Sequence, residues 1–414
     1  MKISKYLKFI KENLSQNKIP TYAEAVELCQ LPDSPFYESK MEIEGFAVSV
    51  FNYRLAQWKD FENPIPDKPN LKGYEMRGLT FVFNQDGTLF NRFILLEKFF
   101  NLNQVPDTVY SVVKNYKIKF INNKEDGSIA SFIKLPNGVV IGKSKMGFTN
   151  EQSIGINRIY KTNSDVRQFV DWCIDNEIVA IFEYVSPSNR IVIRYPGEEL
   201  VLLRMRDNKT GKHIDIRNHL DKIGKIRIAP FEDEVRDLDH LIELVATQVD
   251  KEGSIVTCED DFGRDFFFKI KTPWYMSLHG LLSEDIYREN IIIGYILDDK
   301  IDDVLAQVPT EQIEVRERIE KIIKIVKYQI EQKVKEIKKT HQIFLDLGSD
   351  RKDFAIKYHN HPNFGYVMEL VKGRDIYEIA KEHIRQQTKK LQIARDWLKK
   401  IDDSLFFQEP LIEE

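Results

Sequence analysis

The chain has 414 residues, of which 42% are hydrophobic and 11% aromatic, and its formal net charge is −4. This length suits about two or three well-cored domains. The net charge argues against a protein coated in positive charge, although it leaves room for a local basic groove that binds nucleic acid. No stretch approaches about 18 apolar residues without a charge, so we expect no membrane span.

The N-terminal sequence and the cysteines point to one cellular location. The N-terminal residues include several lysines and lack the long apolar core of a signal peptide. Cys29, Cys173 and Cys258 lie far apart in the sequence and form no metal-type pair. We therefore expect free thiols in a reducing cytoplasm.

The first part of the chain mixes helical and strand patterns. Apolar residues at helical spacing predict a helix from Tyr6 to Leu14 and a second short helix after Thr21. From about residue 43 the period of the pattern changes to two, and turn sequences separate the strands. We predict strands at 78–83, 88–96, 128–135, 139–145, 178–185, 190–195, 200–206, 252–258 and 265–271, with helices at 150–177 and 236–248.

After Pro273 the pattern is helical only. The longest element is a predicted helix at 310–343, with Thr310 as its N-cap, and a further helix is predicted at 375–400. We place the domain boundary near 273–285. The first domain then covers residues 1–278, with an N-terminal extension over about 1–75, and an all-helical domain covers residues 279–414. The predicted fold class is α+β.

One charged turn stands between two short apolar runs, at 118–121 and 129–135, and has the sequence Lys124-Glu125-Asp126-Gly127-Ser128. A lysine beside an acid and a flexible glycine could face a pocket and act as a covalent nucleophile. Taken alone, the same five residues equally fit an ordinary surface turn.

Charged residues in other predicted strands are further candidates for functional residues. Glu183 lies within the apolar run 178–185, where an acid is costly to bury unless it has a partner or a metal. Lys269 and Lys271 stand two apart, so on a strand their ammonium groups project from one face, as a phosphate site would require. Each of these features also has an ordinary explanation, in a salt bridge or a solvated strand face.

Seven short motifs occur in an order that resembles the covalent nucleotidyltransferase superfamily of ligases and capping enzymes, and most closely the RNA ligase 1 family of T-even bacteriophages. The resemblance covers roughly residues 45–280, although Ser254 stands where the family often has a bulkier residue. In chain order the matching sequences are Arg77-Gly78, Lys98-Phe99-Phe100-Asn101, Lys124-Glu125-Asp126-Gly127, Phe182-Glu183-Tyr184 with the residues that follow it, Glu252-Gly253, Lys269-Ile270-Lys271, and Trp274-Tyr275-Met276-Ser277-Leu278-His279.

This resemblance implies an antiparallel-sheet nucleotidyltransferase (adenylation) domain and a reaction in three steps. A lysine takes AMP from ATP and releases pyrophosphate, AMP then passes to the 5′-phosphate of an RNA end, and a 3′-hydroxyl finally displaces AMP. The implied substrates are RNA ends, including those of a cleaved tRNA, in RNA or tRNA repair. The implied metal is Mg²⁺, for which Mn²⁺ could substitute, and we expect a monomer.

The resemblance also assigns roles to residues. Lys124 is the expected nucleophile, Lys269 and Lys271 are expected to contact the α-phosphate, and Glu183 and Glu252 are expected to hold the metal. Cations near Lys124, including the metal, and partial desolvation are expected to lower the pKa of its amine. The remaining nucleotide-binding candidates are Asp126 and Gly127 near the ribose and metal, Arg77, Lys98 and Lys145 on phosphates, and Tyr53 and Phe99 as stacking or core residues.

Three alternatives stay open: an RNA-capping guanylyltransferase, a DNA ligase, and a non-catalytic RNA-binding relative. The all-helical second domain favours an RNA ligase, because the other two enzymes usually carry a β-barrel there. The lysines at 333–339 fit either an RNA contact or a solvated helix end. His359 and His361 are expected in a surface turn rather than at a metal.

Overall fold

A computed structural model describes residues 19–189, 192–232, 234–235, 237–260, 265–278, 288–308 and 312–402. The chain divides into two compact units between residues 280 and 281. The helix predicted from Tyr6 to Leu14 lies outside the described residues. Across the described residues, no helix combines the length and apolar character that a membrane crossing needs.

The first unit contains thirteen described strands in three sheets. The strands are β1 Phe36–Ile43, β2 Phe46–Tyr53, β3 Leu79–Phe83, β4 Leu89–Phe93, β5 Phe100–Asn101, β6 Lys117–Asn123, β7 Ser128–Lys134, β8 Val140–Ser144, β9 Ile178–Val185, β10 Glu199–Asp207, β11 His213–Ile214, β12 Gly253–Glu259 and β13 Asp265–Lys271. The sheet orders are β1-β2-β3-β4, β11-β10-β9-β7-β8 and β5-β13-β12-β6. All strand pairs are antiparallel except β5 with β13, so the predicted α+β fold with antiparallel sheets is confirmed.

Helices cover these sheets and connect their strands. They are α1 Tyr22–Gln30, α2 Trp58–Glu62, α3 Tyr110–Val113, α4 Glu151–Thr162, α5 Ser164–Asp175, α6 Leu220–Ile223, α7 Leu238–Thr247 and α8 Pro273–Leu278. The predicted short helix after Thr21 is α1, and the side chains of Thr21 and Glu24 form its capping box. The single helix predicted at 150–177 is instead two helices, because the Asn163 side chain accepts hydrogen bonds from Asp165 N and Val166 N and starts a new helix.

The strand predicted at 190–195 is wrong for the part that the structure describes. Residues 192–195 are irregular, and Val192 N and Ile193 N donate to the Asp126 carboxylate at 2.8 and 2.7 Å. The apolar sequence predicted a sheet partner for these N–H groups. A distant carboxylate accepts their hydrogen bonds instead.

The second unit is helical throughout its described residues. Its helices are α9 Glu289–Leu297, α10 Ile301–Gln307, α11 Ile313–Asp346, α12 Arg351–Tyr358, α13 Phe364–Val371, α14 Ile376–Gln387 and α15 Leu391–Lys399. The long predicted helix is α11, which buries apolar residues such as Ile319, Val326 and Ile337. Thr310 lies outside the described residues, and the residue at the N-cap position is Gln312.

Two further predictions for this unit need correction. The helix predicted at 375–400 is divided into α14 and α15, since Thr388 ends α14 and its Oγ1 donates to the Ile384 carbonyl. Lys333 is neither a solvated nor an RNA-facing lysine: it is 8% exposed, and its Nζ donates to Asn363 Oδ1 at 2.8 Å. The turn predicted at His359–His361 is present between α12 and α13.

Candidate active site

Three neighbouring strand ends bring charged side chains together. β6 ends at Asn123, which pairs with Ser254 of β12, and Gly253 of β12 pairs with Lys271 at the end of β13. Lys124 continues from β6, and its N–H donates to the Gly253 carbonyl at 2.8 Å. The register of the third sheet therefore places Lys124, Glu252 and Lys271 side by side, although they are far apart in the sequence.

Glu252 joins the two lysines. Its Oε2 lies 2.6 Å from Lys124 Nζ, and its Oε1 lies 3.1 Å from Lys271 Nζ. Glu252 is 3% exposed, and a carboxylate that is this deeply buried is stable only when it is paired. Both of its oxygens face ammonium groups, so the predicted metal ligand is an ion-pair partner of the predicted nucleophile.

Glu183 approaches this cluster from the second sheet. It lies in β9, and its Oε1 accepts a hydrogen bond from Gly127 N at 3.1 Å. Burial raises the pKa of Glu183 to about 8; the charge of Glu252 adds to this shift, while Lys124 and Arg77 oppose it. At neutral pH its carboxyl therefore holds a proton in the absence of another cation.

Gly127 is required by the close approach of β9. A Cβ at this position would lie 2.4 Å from the Tyr184 carbonyl oxygen and 3.1 Å from Glu183 Cγ. Any side chain there would push the Lys124 turn away from Glu183. The prediction that Gly127 shapes the pocket therefore has a steric basis.

The Asp126 carboxylate is buried and accepts hydrogen bonds from other segments of the protein. Besides Val192 N and Ile193 N, it accepts from Tyr275 Oη at 2.8 Å, and Asp126 is 1% exposed. Three donors from distant parts of the first unit contact its oxygens, so Asp126 holds the turn in place. The role of Asp126 in shaping the pocket near the ribose and metal stays a prediction.

A second set of contacts around the turn was missed by sequence reasoning. Tyr195 Oη accepts from Asp126 N at 2.9 Å and donates to Glu125 Oε2 at 2.9 Å. Glu125 also pairs with Arg227, whose Nη2 lies 3.1 Å from Oε2. Nothing in the local sequence links Arg227 to Glu125, because 101 residues separate them.

The residues that are predicted to contact phosphates lie beside aromatic rings. Lys145 Nζ and Lys98 Nζ lie 4.9 and 5.8 Å from the centroid of the Tyr53 ring. The Arg77 guanidinium lies 6.0 Å from the Phe99 ring centroid, and Arg77 Nη1 donates to a backbone carbonyl. Tyr53 therefore brings Lys98 and Lys145 together, as a site for a multiply charged phosphate requires.

Lys143 is a buried lysine of β8 that contacts the backbone beside Arg77. It is 1% exposed, and its Nζ donates to the Gly78 carbonyl at 3.0 Å. Burial lowers the pKa of Lys143 to about 7. Lys143 lies within β8 and is buried, whereas Lys145 follows the last residue of that strand.

Lys269 lies two residues before Lys271 in β13. It pairs with Ile255 of β12 on one side and with Asn101 of β5 on the other. It is therefore in the central part of the third sheet, whereas Lys271 lies at the strand end beside Glu252. Two positions apart on β13, both lysines project from one face of the strand.

A mostly apolar pocket lies next to the charged cluster. Phe99 and Ile255 line it, together with Asn122 and Asn123, which directly precede Lys124. Its cavity volume of about 10 Å³ leaves room for about one water molecule in this conformation. The remaining lining residues are Leu96, Leu203, Arg204, Ala229 and Phe267.

Comparison with known proteins gives the class of this unit. Residues 75–275 match the family model that is described as RNA ligase and named for T4 RNA ligase 1. This segment contains every predicted site residue from Arg77 to Lys271. Over this segment the chain is similar to that RNA ligase family, and the enzyme class that its motifs predicted is confirmed.

Individual relatives agree with the family match. A protein of Thermovibrio ammonificans named "Putative RNA ligase" is 27% identical over 293 residues, which are 68% of this chain and 70% of that protein.

An archaeal ATP-dependent RNA ligase structure (form 2) has a TM-score of 0.45 and 11% identity, over 80% of this chain and 82% of its own. The structure of a Naegleria gruberi RNA ligase variant with ATP and Mn has a TM-score of 0.34 and 14% identity, over 44% of this chain and 57% of its own. Both TM-scores lie below 0.5, so the family assignment depends on the sequence matches.

Proposed function

We propose that this chain is an ATP-dependent RNA ligase that joins a 5′-phosphate to a 3′-hydroxyl through a lysyl-AMP intermediate on Lys124. The observation that carries the proposal is the 2.6 Å contact between Lys124 Nζ and Glu252, beside Lys271, within the region that matches the RNA ligase family. An amine, a carboxylate and a second cation at one place are the groups that phosphoryl transfer needs.

In the first step, Lys124 must lose a proton before its nitrogen can attack. Glu252 Oε2 is close enough to accept that proton. The nitrogen then forms a bond to the α-phosphorus of ATP, and the bond from that phosphorus to the bridging oxygen breaks, which releases pyrophosphate. Lys271, and Lys269 further along β13, would stabilise charge on the α-phosphate oxygens.

In the second step, the RNA 5′-phosphate attacks the same phosphorus, and the bond to Lys124 breaks with return of a proton to nitrogen. In the third step, a 3′-hydroxyl attacks the 5′-phosphate, loses its proton, and AMP leaves. Lys98, Lys145 and Arg77 are the cations placed to hold the pyrophosphate or the RNA 5′-phosphate. Phe99, beside Arg77, would stack on or line the nucleotide.

Glu183 and Glu252 are the residues that would hold Mg²⁺ or Mn²⁺. Among the described residues, no three His, Cys, Asp or Glu side chains form a metal-binding cluster, so water and phosphate oxygens would complete the shell, as Mg²⁺ prefers. A bound cation would displace the proton of Glu183 and favour its ionised form. The bound ion would neutralise phosphate charge.

The direct test is the intact mass after incubation with ATP and Mg²⁺. We expect wild type to gain one AMP and Lys124→Ala to gain none. Lys134→Ala is the matched control, because Lys134 ends the next strand and pairs with Asp175 on the surface. An adduct that persists in Lys124→Ala would overturn the assignment of the nucleophile.

Substrate tests separate the remaining candidates. Labelling from GTP but not from ATP would indicate a capping guanylyltransferase, joining of nicked DNA but not of RNA would indicate a DNA ligase, and no covalent label would indicate a non-catalytic relative. The family match favours RNA joining. We further propose that the protein acts in RNA repair, with cleaved tRNA as one substrate. It would act as a monomer in the cytoplasm.

A further inference from the structure

The longest helix of the second unit carries a row of lysines on one face. Between Lys321 and Lys339 of α11, five exposed lysines fall within a sector of about 100° at 3.6 residues per turn. The apolar residues that α11 buries lie on the opposite side of the helix. We call this row the lysine face, and its members are Lys321, Lys324, Lys335, Lys338 and Lys339.

These lysines differ from several other cations of the same unit. Within the described residues, none of the five forms an ion pair. By contrast, Lys381 pairs with Asp299 at 2.9 Å, Arg385 with Asp298 at 2.5 Å and Arg318 with Glu289 at 2.7 Å. The unit therefore pairs many of its cations and leaves one continuous face positive.

Acids are few on this face of the helix. Glu314, Glu317 and Glu320 precede Lys321, close to the N-terminus of α11, where the helix dipole favours negative charge. Between Lys321 and Lys339, the acid in the same sector is Glu331. Five lysines against one glutamate leave a local positive surface on a chain whose net charge is −4.

An exposed aromatic ring interrupts the row. Tyr328 is 53% exposed and falls within the same sector, between Lys324 and Lys335. Exposed cations with an interleaved aromatic side chain suit a nucleic-acid strand, because phosphates contact the cations while an unpaired base stacks on the ring. The helix rise of 1.5 Å per residue gives the row a length of about 27 Å, enough for several nucleotides.

We propose that the lysine face of α11 binds the sugar-phosphate backbone of the RNA substrate, with an unpaired base stacked on Tyr328. This proposal assigns an RNA-binding surface to the proposed RNA ligase, and its role in ligation rests on that proposed function. Binding by the face needs neither ATP nor Lys124. The two proposals can therefore fail separately.

The test uses the full-length chain with all five lysines of the face changed to glutamine, which keeps a good helix former at each position. The control changes five exposed lysines elsewhere in the second unit to glutamine, so that the net charge falls equally; these are Lys352, Lys357, Lys389, Lys390 and Lys400. The probe is a single-stranded RNA of about 20 nucleotides with a 5′-phosphate, titrated at several salt concentrations.

We expect the face variant to bind RNA roughly 10- to 100-fold more weakly at about 0.1 M salt, with the slope of log affinity against log salt reduced by up to about 3.5. The control variant should bind within about threefold of wild type. AMP loading without RNA should be unchanged in the face variant. Wild-type affinity and slope in the face variant, or an equal loss in the control, would overturn the proposal.

Tyr328→Leu tests the stacking part. It should weaken binding of single-stranded RNA by about 5- to 50-fold and leave binding of a blunt RNA duplex within about twofold, since stacking on the ring requires an unpaired base. Equal losses for both RNAs, or none, would overturn the role of Tyr328. If wild type shows the salt-dependent binding but no AMP adduct, the proposed reaction fails while the RNA surface stands.

Discussion

At the scale of single residues, the site depends on one carboxylate between two amines. Glu252→Gln removes the negative charge between Lys124 and Lys271 and the group placed to take a proton from Lys124. We expect the rate of AMP loading to fall by about 100-fold. Glu259→Gln, at the other end of β12, is the control and should keep the rate within about threefold. A Glu252→Gln rate close to wild type would contradict the role of Glu252.

Burial of Lys143 makes the free energy of unfolding depend on pH. Its pKa falls from the ordinary 10.5 to about 7 because it is buried. Between these pH values the unfolded chain binds the proton and the folded chain does not, so this residue makes stability rise as pH increases from about 7 towards 10.5. The full effect is on the order of 5 kcal/mol.

Lys143→Met, with a side chain of similar length, should abolish this contribution. The free energy of urea unfolding, measured from pH 7 to pH 9.5, should rise for wild type relative to the variant, by roughly 1–3 kcal/mol across this range. Lys134→Met controls for loss of an exposed lysine. Parallel pH profiles for wild type and Lys143→Met would contradict a neutral buried amine.

At the scale of elements, Asp126 ties the nucleophile's turn to the segment 192–193 and to α8. An amide at this position keeps one acceptor oxygen, so Asp126→Asn leaves at least one buried donor without a partner. We expect unfolding free energy to fall by about 1–3 kcal/mol, and Tyr275→Phe to cost about 0.5–1.5 kcal/mol. The double variant should lose less than the sum, because the two side chains share a hydrogen bond. Strict additivity would count against this connection.

Element positions were largely predictable from local chemistry, whereas partners distant in sequence were not. Two-residue alternation and turn sequences located β7 and β8, and Thr21 marked the start of α1. The irregular path of Val192 and Ile193 depends on Asp126, 66 and 67 residues earlier, which no local pattern shows.

The candidate site shows the same division. Motif order identified Lys124, Glu183 and Glu252, but the ion pair between Lys124 and Glu252 depends on the pairing of β6 with β12. The contacts of Tyr195 with the turn and of Arg227 with Glu125 were missed, because neither residue belongs to a motif. The burial of Lys333 depends on Asn363, 30 residues away.

At the scale of the whole molecule, two compact units carry two separate sets of charges. The first holds the paired cluster around Lys124, and the second holds the unpaired lysine face of α11. If the units divide the work as proposed, changes to the lysine face should alter RNA binding and joining but not AMP loading. Rapid-quench measurement of each step in the face variant would show which step changes, and slowed loading would contradict the division.

The central claim is that AMP becomes attached to Lys124. The most direct measurement is tandem mass spectrometry of peptides from wild-type protein after incubation with ATP and Mg²⁺, handled at alkaline pH to preserve the phosphorus–nitrogen bond. We predict that AMP is found on the peptide that spans 120–130 and that fragmentation locates it at Lys124. AMP on Lys98, Lys269 or Lys271 instead, or no modified lysine at full ligase activity, would contradict the claim.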